Sequence, residues 1–558
     1  MSFKDQAVKY LNNYADILEF LDENRFKINA FRNASNVLRR LDIDVEEILH
    51  DGSIVNIKGI GKGIQSFLYE LSDNGNVKEF EEKLGSIPDG LLELLQIRGL
   101  GVKKVKLLFK ELKIQNIDDL NNACQNNDII NIKGFTESSQ VKILEKIRNI
   151  RKNSKYVLLN NGEHVGASIL KTLNSLKSIE RIEISGEIRR SLNVISKIDI
   201  VISTNDINRF KKELLNHYKY RAILVDISSE ILLLNTDFSI PIELHLCDDE
   251  KFIETLFRTT GSSSYLSSIN LINLDEKFKE EIDLFNHLNL DYVIPEMRED
   301  IFNHAPDKLR RNSDLDNFDM KGLLHFHTDF SDGSNTLLEM AEEAKNHRFD
   351  YIAVCDHSRS AFYANGLSED RVIKQKEVIK SVKEKINLEV FHGIESDILR
   401  DGSLDYSNEF MKNFDFVVAS IHSMFNLSED EMTSRIIRAI ENPNTDVIGH
   451  PTGRLLLSRA PYQLNINKVL EACSENDVAI EINASPHRLD LDWRNYYFAR
   501  DIGCKFAINP DAHSIAGIHD TKYGIKIAKK GGIQSDEVIN YLSVNDFKKY
   551  LNRKIIRK

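Results

Sequence analysis

The sequence predicts a multidomain protein with a helical N-terminal third, an α+β middle and a C-terminal βα barrel, and three observations lead to this fold class. Residues 1–150 carry apolar side chains at helical spacing, as in Ala15–Leu21. From about 155 to 247, strand-like runs replace that pattern. From Lys321 onward, short apolar runs alternate with helical stretches, which is typical of a parallel βα-repeat domain. The predicted strands there are Tyr351–Cys355, Glu389–Glu395, Phe414–Ser420, Asp446–Gly449, Ala479–Asn483 and Lys505–Asn509.

Composition excludes several function classes. The chain has 558 residues, with 74 Lys and Arg against 86 Asp and Glu, for a net charge of −12. Its 41% hydrophobic and 29% charged residues are ordinary for a globular protein and argue against a disordered chain. Its negative net charge argues against a polybasic DNA-coating protein. The five cysteines form no CxxC pair, and no run of about 18 apolar residues occurs. We expect a reduced, cytoplasmic protein with no membrane span.

The helical third contains two glycine hairpins, Ile57–Gly63 and Ile97–Lys104, and a weaker third copy at Ile132–Phe135. Each reads apolar-x-Gly, and the first two continue with apolar-Gly. Glycines permit a tight turn, and the helix that follows directs free N–H groups at an anion such as a DNA phosphate. The pattern resembles the helix-hairpin-helix motif; an ordinary glycine turn is the alternative for any single copy. The candidate DNA-binding residues are Gly59, Gly61, Lys62, Gly63, Gly99, Gly101, Lys103 and Lys104.

The segment Phe26–Ala34, together with the hairpins, resembles the start of the X-family DNA polymerases. In that family a lysine in the helix after the first hairpin forms a Schiff base. The matching position here is Phe67, and a phenyl ring cannot form an imine. Deoxyribose-phosphate lyase activity is therefore not expected.

The middle of the chain resembles the palm and thumb of the same family. Ser185–Arg190 followed by Lys197–Asp199 matches the palm signature, and Pro241–Leu244 matches the strand that bears a third carboxylate. Thr260–Ser262 and Tyr292–Glu299 match thumb segments. The resemblance implies an α+β nucleotidyltransferase palm.

The polymerase site in that palm is degenerate. Nucleotidyl transfer needs two Mg²⁺ ions held by clustered carboxylates. Lys197 stands at the first carboxylate position, Glu187 at the serine that binds triphosphate, and Glu243 replaces an aspartate. We expect polymerase activity to be weak or lost, with Mg²⁺ needed only if it persists. The degenerate site comprises Gly186, Glu187, Arg189, Arg190, Lys197, Asp199 and Glu243.

The C-terminal third carries a set of candidate metal ligands. His325 and His327 lie two residues apart, so they project from one face of a strand. Most of the others follow one pattern, in which an apolar strand ends in a histidine or a carboxylate. In a parallel barrel this is the end where active sites lie. The candidates are His325, His327, Asp332, His357, Glu395, His422, His450, Asp511 and His513.

This set resembles the PHP (polymerase and histidinol phosphatase) domain, a distorted (β/α)7 barrel. The resemblance implies three divalent ions, Zn²⁺ and/or Mn²⁺, with Fe also compatible. One ion is held by His325, His327, Glu395 and Asp511; a second by Glu395, His422 and His450; and a third by Asp332, His357 and His513. The nucleophile is then metal-acidified water that attacks phosphorus.

Three further residues, Arg454, Arg488 and Asp490, lie in segments that resemble the same family. The two arginines are candidates to grip a phosphate bidentately, with a surface ion pair as the alternative. They are possible substrate contacts beside the metal ions.

The predicted domains are a DNA-end-binding helical domain (1–80), a fingers-like helical domain (81–150), the palm (151–250), the thumb and linker (251–318) and the PHP domain (319–558). The predicted function is a DNA-repair enzyme whose PHP domain is a 3′–5′ exonuclease or 3′-end phosphoesterase. Three alternatives remain: an active gap-filling polymerase with exonuclease, a small-molecule phosphatase of the histidinol-phosphate type, and a noncatalytic DNA scaffold. We expect a monomer that binds nicks, gaps or 3′ ends of DNA without sequence preference.

Overall fold

The computed structural model describes residues 3–40, 45–97, 99–217, 223–226, 230–235, 239–269, 274, 276–299, 309, 311–317 and 319–556. Contacts divide the chain into two compact units, Met1–Ser154 and Lys155–Lys558. Residue 98 of the second hairpin and parts of the predicted thumb and linker (270–273, 275, 300–308, 310 and 318) lie outside the described residues. So does residue 222, the first residue of a strand that the sequence predicts over 222–225. Among the helices of the described ranges, none is long and apolar enough to cross a bilayer.

The first unit is built from helices, as the sequence predicts. Their apolar faces share one core that includes Leu11, Leu38, Leu68 and Leu108. The amphipathic segment predicted at 15–21 belongs to the longer helix α1, except for its last residue, because α1 ends at Phe20. The helices are α1 (Phe3–Phe20), α2 (Arg25–Arg40), α3 (Val45–His50), α4 (Lys62–Asn74), α5 (Lys78–Leu84), α6 (Leu91–Leu95), α7 (Val102–Leu112), α8 (Ile117–Gln125) and α9 (Glu137–Asn153).

The second unit begins with an α+β region. Its main sheet has the strand order β2-β4-β7-β6-β5, in which β4 and β7 are parallel and the other neighbours antiparallel. The strands are β1 (Val157–Leu158), β2 (Arg181–Ser185), β3 (Val194–Ile195), β4 (Ile198–Ser203), β5 (Ile223–Asp226), β6 (Ile231–Asn235) and β7 (Ile242–Cys247). The helices are α10 (Leu159–Leu173), α11 (Gly186–Arg189), α12 (Ile207–His217), α13 (Phe252–Thr260), α14 (Ser263–Ser268) and α15 (Glu281–His287).

The remainder of the second unit is a barrel of seven parallel strands in the order β14 to β8. The strands are β8 (Gly322–Phe326), β9 (Tyr351–Val354), β10 (Glu389–Asp397), β11 (Phe416–Ser420), β12 (Val447–Ile448), β13 (Ala479–Asn483) and β14 (Phe506–Asn509). The edges approach each other after β8 and β14, where His327 N donates to Ala512 O at 2.8 Å. The predicted (β/α)7 barrel is confirmed.

Helices follow the barrel strands and cover them. They are α16 (Leu337–Asn346), α17 (Glu369–Lys385), α18 (Asn408–Met411), α19 (Glu429–Ile440), α20 (Ile466–Glu475), α21 (Tyr496–Asp501), α22 (Ile515–Ile518), α23 (Thr521–Lys530) and α24 (Val544–Ile556). A strand packed on both sides needs apolar residues on both faces, which is why these strands are nearly continuous apolar runs in the sequence. Palm and barrel share one hydrophobic core, which includes Ile200 and Leu244 of the palm and Ile482 and Ile508 of the barrel.

Candidate metal centre

All nine candidate ligands lie together at the carboxyl end of the barrel. Two of them, His325 and Glu395, lie within β8 and β10. The others lie in the segments that follow β8, β9, β11, β12 and β14, because the βα repeat turns every parallel strand toward the same rim. The sequence pattern of a strand that ends in a histidine or carboxylate therefore corresponds to one site.

Glu395 lies at the middle of the cluster and is fully buried. Its Oε1 is 3.0 Å from His450 Nε2 and 3.2 Å from His422 Nε2, while its Oε2 is 2.8 Å from His357 Nδ1. His325 Nε2 is 3.5 Å from Oε1. One carboxylate thus faces imidazoles from four different segments, which is the position a bridging ligand requires.

The carboxylates of Asp511 and Asp332 lie close to the histidines on the other side of the cluster. Asp511 Oδ1 is 3.0 Å from His327 Nε2 and 3.6 Å from His325 Nε2. Asp332 Oδ1 is 3.4 Å from His513 Nε2 and 3.9 Å from His327 Nδ1. His327 therefore lies between the two carboxylates, and its ring stacks on that of His513 with centroids 4.1 Å apart.

Several of these polar atoms have no hydrogen-bond partner although they are buried. They include His325 Nε2, His327 Nδ1 and His450 Nδ1. A buried polar atom without a partner costs about 1–3 kcal/mol, so several in one cluster need a compensating ligand. Divalent metal ions suit these atoms. The centre contains three sets of three or four His, Asp and Glu residues, and within each set the possible ligand atoms lie within 4.8 Å of one another.

The backbone is strained at three of the ligands. His325, His450 and Asp511 have positive φ values of 70°, 25° and 53°, which few residues other than glycine adopt. The register of β8 against β9 also shifts between Leu324 and Phe326, which redirects the His325 side chain. Strain of this kind costs about 1–3 kcal/mol per residue and concentrates at functional sites.

The charges of the centre are set by mutual contact. Burial raises the pKa of Glu395, but the imidazoles of His422, His357 and His325 outweigh it and hold that pKa well below its usual range. Burial lowers the pKa of His327 to about 3, helped by neighbouring imidazoles. Burial also lowers that of His422, yet Glu395 and Asp397 raise it to about 10. Ionised carboxylates therefore face both neutral and cationic imidazoles.

A second layer of carboxylates orients the ligands, and the sequence reasoning missed it. Glu481 Oε1 accepts from His325 Nδ1 at 2.7 Å, and its Oε2 accepts from the backbone N–H of His450 at 2.6 Å. Asp397 accepts from His422 Nδ1. Such contacts fix which ring nitrogen faces the metal.

A signal for these residues does exist in the sequence. Asp397 follows Glu395 by two residues on β10, so both lie on one face of the strand. Glu481 lies in the middle of Ala479–Asn483, an otherwise apolar run recognised as a strand. A buried carboxylate within an apolar strand is unexpected without a charged or hydrogen-bonded partner.

The three candidate phosphate contacts have different surroundings. Arg488 Nε lies 3.5 Å from Asp511 Oδ2, and its Nη1 is buried without a hydrogen-bond partner. Arg454 Nε donates to the carbonyl oxygen of Arg488 at 2.9 Å. Asp490 accepts from the N–H and Oγ1 of Thr452 at 3.0 and 2.8 Å. Arg454 and Asp490 thus form hydrogen bonds to the backbone near the rim. Arg488 instead has a guanidinium nitrogen, Nη1, without a hydrogen-bond partner, beside the candidate metal ligand Asp511.

In the palm, an internal cation lies at the centre of the carboxylate cluster. Lys197 Nζ is 2.8 Å from Asp199 Oδ1 and 2.6 Å from Glu243 Oε2. His245 Nε2 is also 2.8 Å from Asp199 Oδ1. Burial lowers the pKa of Lys197, but the two carboxylates outweigh it and raise that pKa above its usual value. The ammonium therefore neutralises the carboxylates that a metal ion needs.

The other palm signature residues also have partners within the protein. Glu187 accepts from the N–H and Oγ of Ser196, at 2.5 and 2.8 Å. Gly186, at φ 61°, lies so close to Asp199 that an added Cβ would be 2.1 Å from its Oδ2. Arg189 makes a two-pronged ion pair with the carboxylate of Glu281, at 3.0 and 2.8 Å. The signature arginine thus holds the palm to the α15 helix.

The three glycine hairpins have the same backbone geometry. Gly59, Gly99 and Gly134 have φ values of 98°, 97° and 97°, which only glycine adopts without strain. Gly61 and Gly101 then precede α4 and α7 with nearly identical extended conformations. The third, weaker copy shares this glycine conformation, but Thr136 rather than a glycine precedes its helix and caps it.

The candidate residues of the hairpins face solvent. Gly61, Lys62, Gly63 and Lys103 are exposed, and an added Cβ at Gly61 or Gly63 would meet no atom within 4 Å. Lys104 is exposed too; its Nζ donates to the carbonyl oxygen of Gly99 at 3.2 Å. This leaves an open surface at the start of each helix.

Comparisons with known proteins agree with this architecture. Residues 324–485 match the PHP domain, and residues 3–77 match a helix-hairpin-helix domain. The DNA polymerase/3′-5′ exonuclease PolX of Bacillus subtilis (strain 168) is 29% identical to the chain over 99% of both proteins. Over its full length the chain thus resembles an X-family DNA polymerase/exonuclease, and its barrel is identified as a PHP domain.

Relatives of the PHP part alone also occur. A probable phosphatase of Thermoanaerobacter sp. (strain X514) is 31% identical, in a match that covers 42% of this chain and 96% of the phosphatase. A probable phosphatase of Caldanaerobacter subterraneus subsp. tengcongensis is 29% identical and covers 41% of the chain and 90% of its own length. The barrel therefore also resembles proteins without the polymerase part.

Proposed function

We propose that this chain is a metal-dependent 3′–5′ exodeoxyribonuclease, or DNA 3′-end phosphoesterase, whose active site is the barrel's metal centre. The observation that carries the proposal is the gathering of nine ligand side chains at one rim, with buried donor atoms that lack partners. The name of the B. subtilis relative includes the same activity.

The donor set suits three divalent ions. His325, His327, Glu395 and Asp511 would hold the first; Glu395, His422 and His450 the second; and Asp332, His357 and His513 the third. Mixed imidazole and carboxylate donors suit Zn²⁺ and Mn²⁺, and are also compatible with Fe. When bound, ions of this kind act as Lewis acids toward a phosphoryl group. They also lower the pKa of a metal-bound water molecule to about 7.

The protein's own groups have distinct tasks around those ions. Glu481 and Asp397 accept the Nδ1 protons of His325 and His422, which turns each Nε2 lone pair toward Glu395. Arg488 lies beside Asp511 and has a buried guanidinium nitrogen without a hydrogen-bond partner, which would donate to a phosphoryl oxygen. Removing that donor would weaken the binding of charged phosphate in particular.

DNA binding would come from the hairpins, through backbone N–H groups rather than base contacts. Such contacts carry no sequence information and need little positive charge. They therefore fit a chain with a net charge of −12. We propose that nicks, gaps or free 3′ ends are bound in this way, without sequence preference.

We further propose that the palm has lost most or all of its polymerase activity. The ammonium of Lys197 lies between Asp199 and Glu243, where it would repel a divalent ion. Glu187 places a second negative charge where the family binds triphosphate. The palm would then serve as architecture, and the hydrophobic core that it shares with the barrel supports that role.

Two other functions remain as competing candidates. The full-length relative is named a polymerase as well as an exonuclease, which favours a residual gap-filling activity. Relatives of the barrel are named probable phosphatases, which favours a small-molecule phosphomonoester as substrate. A barrel acting only on metabolites would make no use of the hairpins.

The test uses purified full-length protein with Mn²⁺ and three substrates: 5′-labelled DNA, gapped primer–template with nucleotides, and histidinol phosphate. We expect stepwise shortening from the 3′ end, no primer extension and slow phosphate release. His422→Ala should abolish shortening, while His519→Ala, at an exposed barrel histidine outside the centre, should not. Equal shortening by wild type and His422→Ala would refute the assignment, and extension abolished by Asp199→Ala would refute the loss of polymerase activity.

A further inference from the structure

Two aromatic side chains stand in solvent at the rim of the metal centre. Phe362 is 88% exposed and Tyr363 is 72% exposed. The Tyr363 ring centroid is 6.2 Å from that of His357 and 6.4 Å from that of His422. Exposure of both aromatic rings to water is unfavourable, because burying them would stabilise the folded protein. An exposed aromatic pair at the mouth of a site therefore indicates a binding surface.

The segment that carries the two rings is firmly anchored. Ala361 and Ala364, on either side of the pair, are buried. Asn365 Nδ2 donates to the carbonyl oxygens of Phe330 and Ser331, at 3.3 and 3.2 Å, in the segment that leads to Asp332. The rings are thus fixed to the backbone that supplies a metal ligand.

A second anchor lies after the rings. Leu367 N donates to the carbonyl oxygen of His357 at 2.8 Å. Gly366 lies so close to Ser358 that an added Cβ would be 1.9 Å from its carbonyl oxygen, so only glycine fits there. A surface held this way is preorganised, and little ordering entropy is lost when a ligand stacks on it.

We propose that Phe362 and Tyr363 form a stacking platform for the nucleobase of an unpaired 3′-terminal nucleotide. The inference rests on the proposed exonuclease function and names its substrate class. Aromatic side chains bind single-stranded DNA because every base has a π face, and the contact is tolerant of sequence. A base lies one sugar away from its phosphate, so a nucleotide stacked on the platform keeps its phosphate near the ligands His357 and His422.

The platform also explains a preference between DNA structures. A paired terminal base is already stacked in the duplex, and it must leave that stack before it can lie on Tyr363. Frayed, mismatched or single-stranded 3′ ends therefore meet the platform at lower cost than matched ends. A phosphomonoester without a base gains nothing from it.

The experiment compares two 5′-labelled single strands with Mn²⁺ present, one with a natural 3′-terminal nucleotide and one with an abasic tetrahydrofuran nucleotide there. We expect wild type to remove the natural nucleotide about 5- to 150-fold faster, the ratio that corresponds to stacking of about 1–3 kcal/mol per base. The double substitution Phe362→Ala with Tyr363→Ala should bring the ratio to within about twofold of one. Phe362→Trp with Tyr363→Phe, which keeps both rings, should preserve it.

A matched control and a second readout keep the test independent of folding. Ile373→Ala removes another exposed apolar side chain, 45% exposed on α17, and should retain the wild-type ratio. A 3′-terminal 2-aminopurine should lose fluorescence on binding to wild type in EDTA, and lose less on binding to the double alanine variant. Equal fluorescence loss would contradict the platform.

The outcomes separate this inference from the proposed function. If wild type degrades DNA but removes natural and abasic termini at equal rates, the platform is wrong and the exonuclease assignment stands. A double alanine variant that keeps the wild-type ratio overturns the platform as well. If wild type degrades no DNA at all, the proposed function fails and the platform fails with it.

Discussion

Replacing Glu481 with glutamine tests how far the metal centre depends on its second layer. Glu481 is fully buried and accepts four hydrogen bonds. Its Oε1 accepts from His325 Nδ1 at 2.7 Å and Asn509 Nδ2 at 2.9 Å, and its Oε2 from His450 N at 2.6 Å and Asn483 Nδ2 at 3.2 Å. Glutamine keeps the shape but turns one oxygen into an NH₂ group that faces two donors.

The expected cost follows from those contacts. Hydrogen bonds to a charged group contribute about 1.5–3 kcal/mol, and loss of an outer partner of a metal ligand typically weakens metal binding about 10- to 100-fold. The NH₂ group would replace either Oε1, which faces His325 Nδ1, or Oε2, which faces His450 N. In both orientations His325 loses the charged acceptor that keeps its Nε2 free for the metal. We therefore expect Glu481→Gln to weaken metal binding by about 10- to 100-fold and to slow DNA shortening at limiting Mn²⁺.

Metal affinity would be measured by titration against a chromophoric chelator, with thermal melting of the metal-free protein as the folding check. Glu377→Gln, at an exposed position on α17, is the matched control and should leave affinity unchanged. Glu481→Asp keeps the charge and serves if the glutamine variant fails to fold. Wild-type affinity in a folded Glu481→Gln protein would refute the reasoning.

Three further predictions concern other parts of the chain. Lys197→Ala should add one bound Mn²⁺ per protein in equilibrium dialysis, because Asp199 and Glu243 lose their internal cation; unchanged stoichiometry would contradict it. Burial raises the pKa of Asp520 from 3.8 to about 7, so the folded state keeps a proton that the unfolded state releases, and stability falls as the pH rises from about 4 to 7. Asp520→Asn should remove this loss of stability, and so stabilise the protein at pH 8 by at most about 4 kcal/mol. Urea unfolding at pH 5 and at pH 8 measures both effects. Gly99→Ala, at φ 97°, should weaken binding to gapped DNA in fluorescence anisotropy, whereas Gly75→Ala, at φ 72° outside the hairpins, should not.

Much of the barrel and its ligand positions could be predicted because parallel strands impose a repeating pattern. Each predicted barrel strand lies within two residues of an observed one, since apolar runs bounded by polar residues are unambiguous in a βα repeat. Strand β6, Ile231–Asn235, was not predicted, because a short apolar run fits a helix as well as a strand.

Other features depend on contacts that sequence spacing does not encode. The partner of Lys197 could not be read from the chain, because Glu243 lies on the neighbouring strand and meets Asp199 only through the register of β4 and β7. The sequence also did not distinguish the roles of Arg454 and Arg488. Only the fold shows that the Arg454 guanidinium donates to a backbone carbonyl, whereas Arg488 Nη1 has no hydrogen-bond partner. Phe362 and Tyr363 carry no recognisable motif, and their exposure is a property of the surface.

A last prediction explains why a palm without polymerase chemistry would persist. The side chain of Lys530, at the end of α23 in the barrel, is fully buried, and its Nζ donates to the carbonyl oxygen of Arg190 at 2.7 Å and to Glu299 Oε1 at 3.1 Å. Burial lowers its pKa to about 8, although Glu299 opposes the change. The palm backbone and a thumb carboxylate thus compensate a charge that the barrel cannot solvate by itself.

Breaking a buried pair costs about 3–5 kcal/mol when it leaves the other charge without a partner. Glu299 also accepts from Arg190 Nε at 3.0 Å, so Lys530→Met should cost less than that. Lys530→Met should therefore lower the melting temperature of the full chain in calorimetry and separate one transition of palm and barrel into two. Lys526→Met, a partly exposed lysine that pairs with Glu163 at the same junction, is the matched control and should change little. A Lys530→Met protein that melts like wild type would mean that the palm is not held for structural reasons, and its retention would then point back to residual polymerase activity.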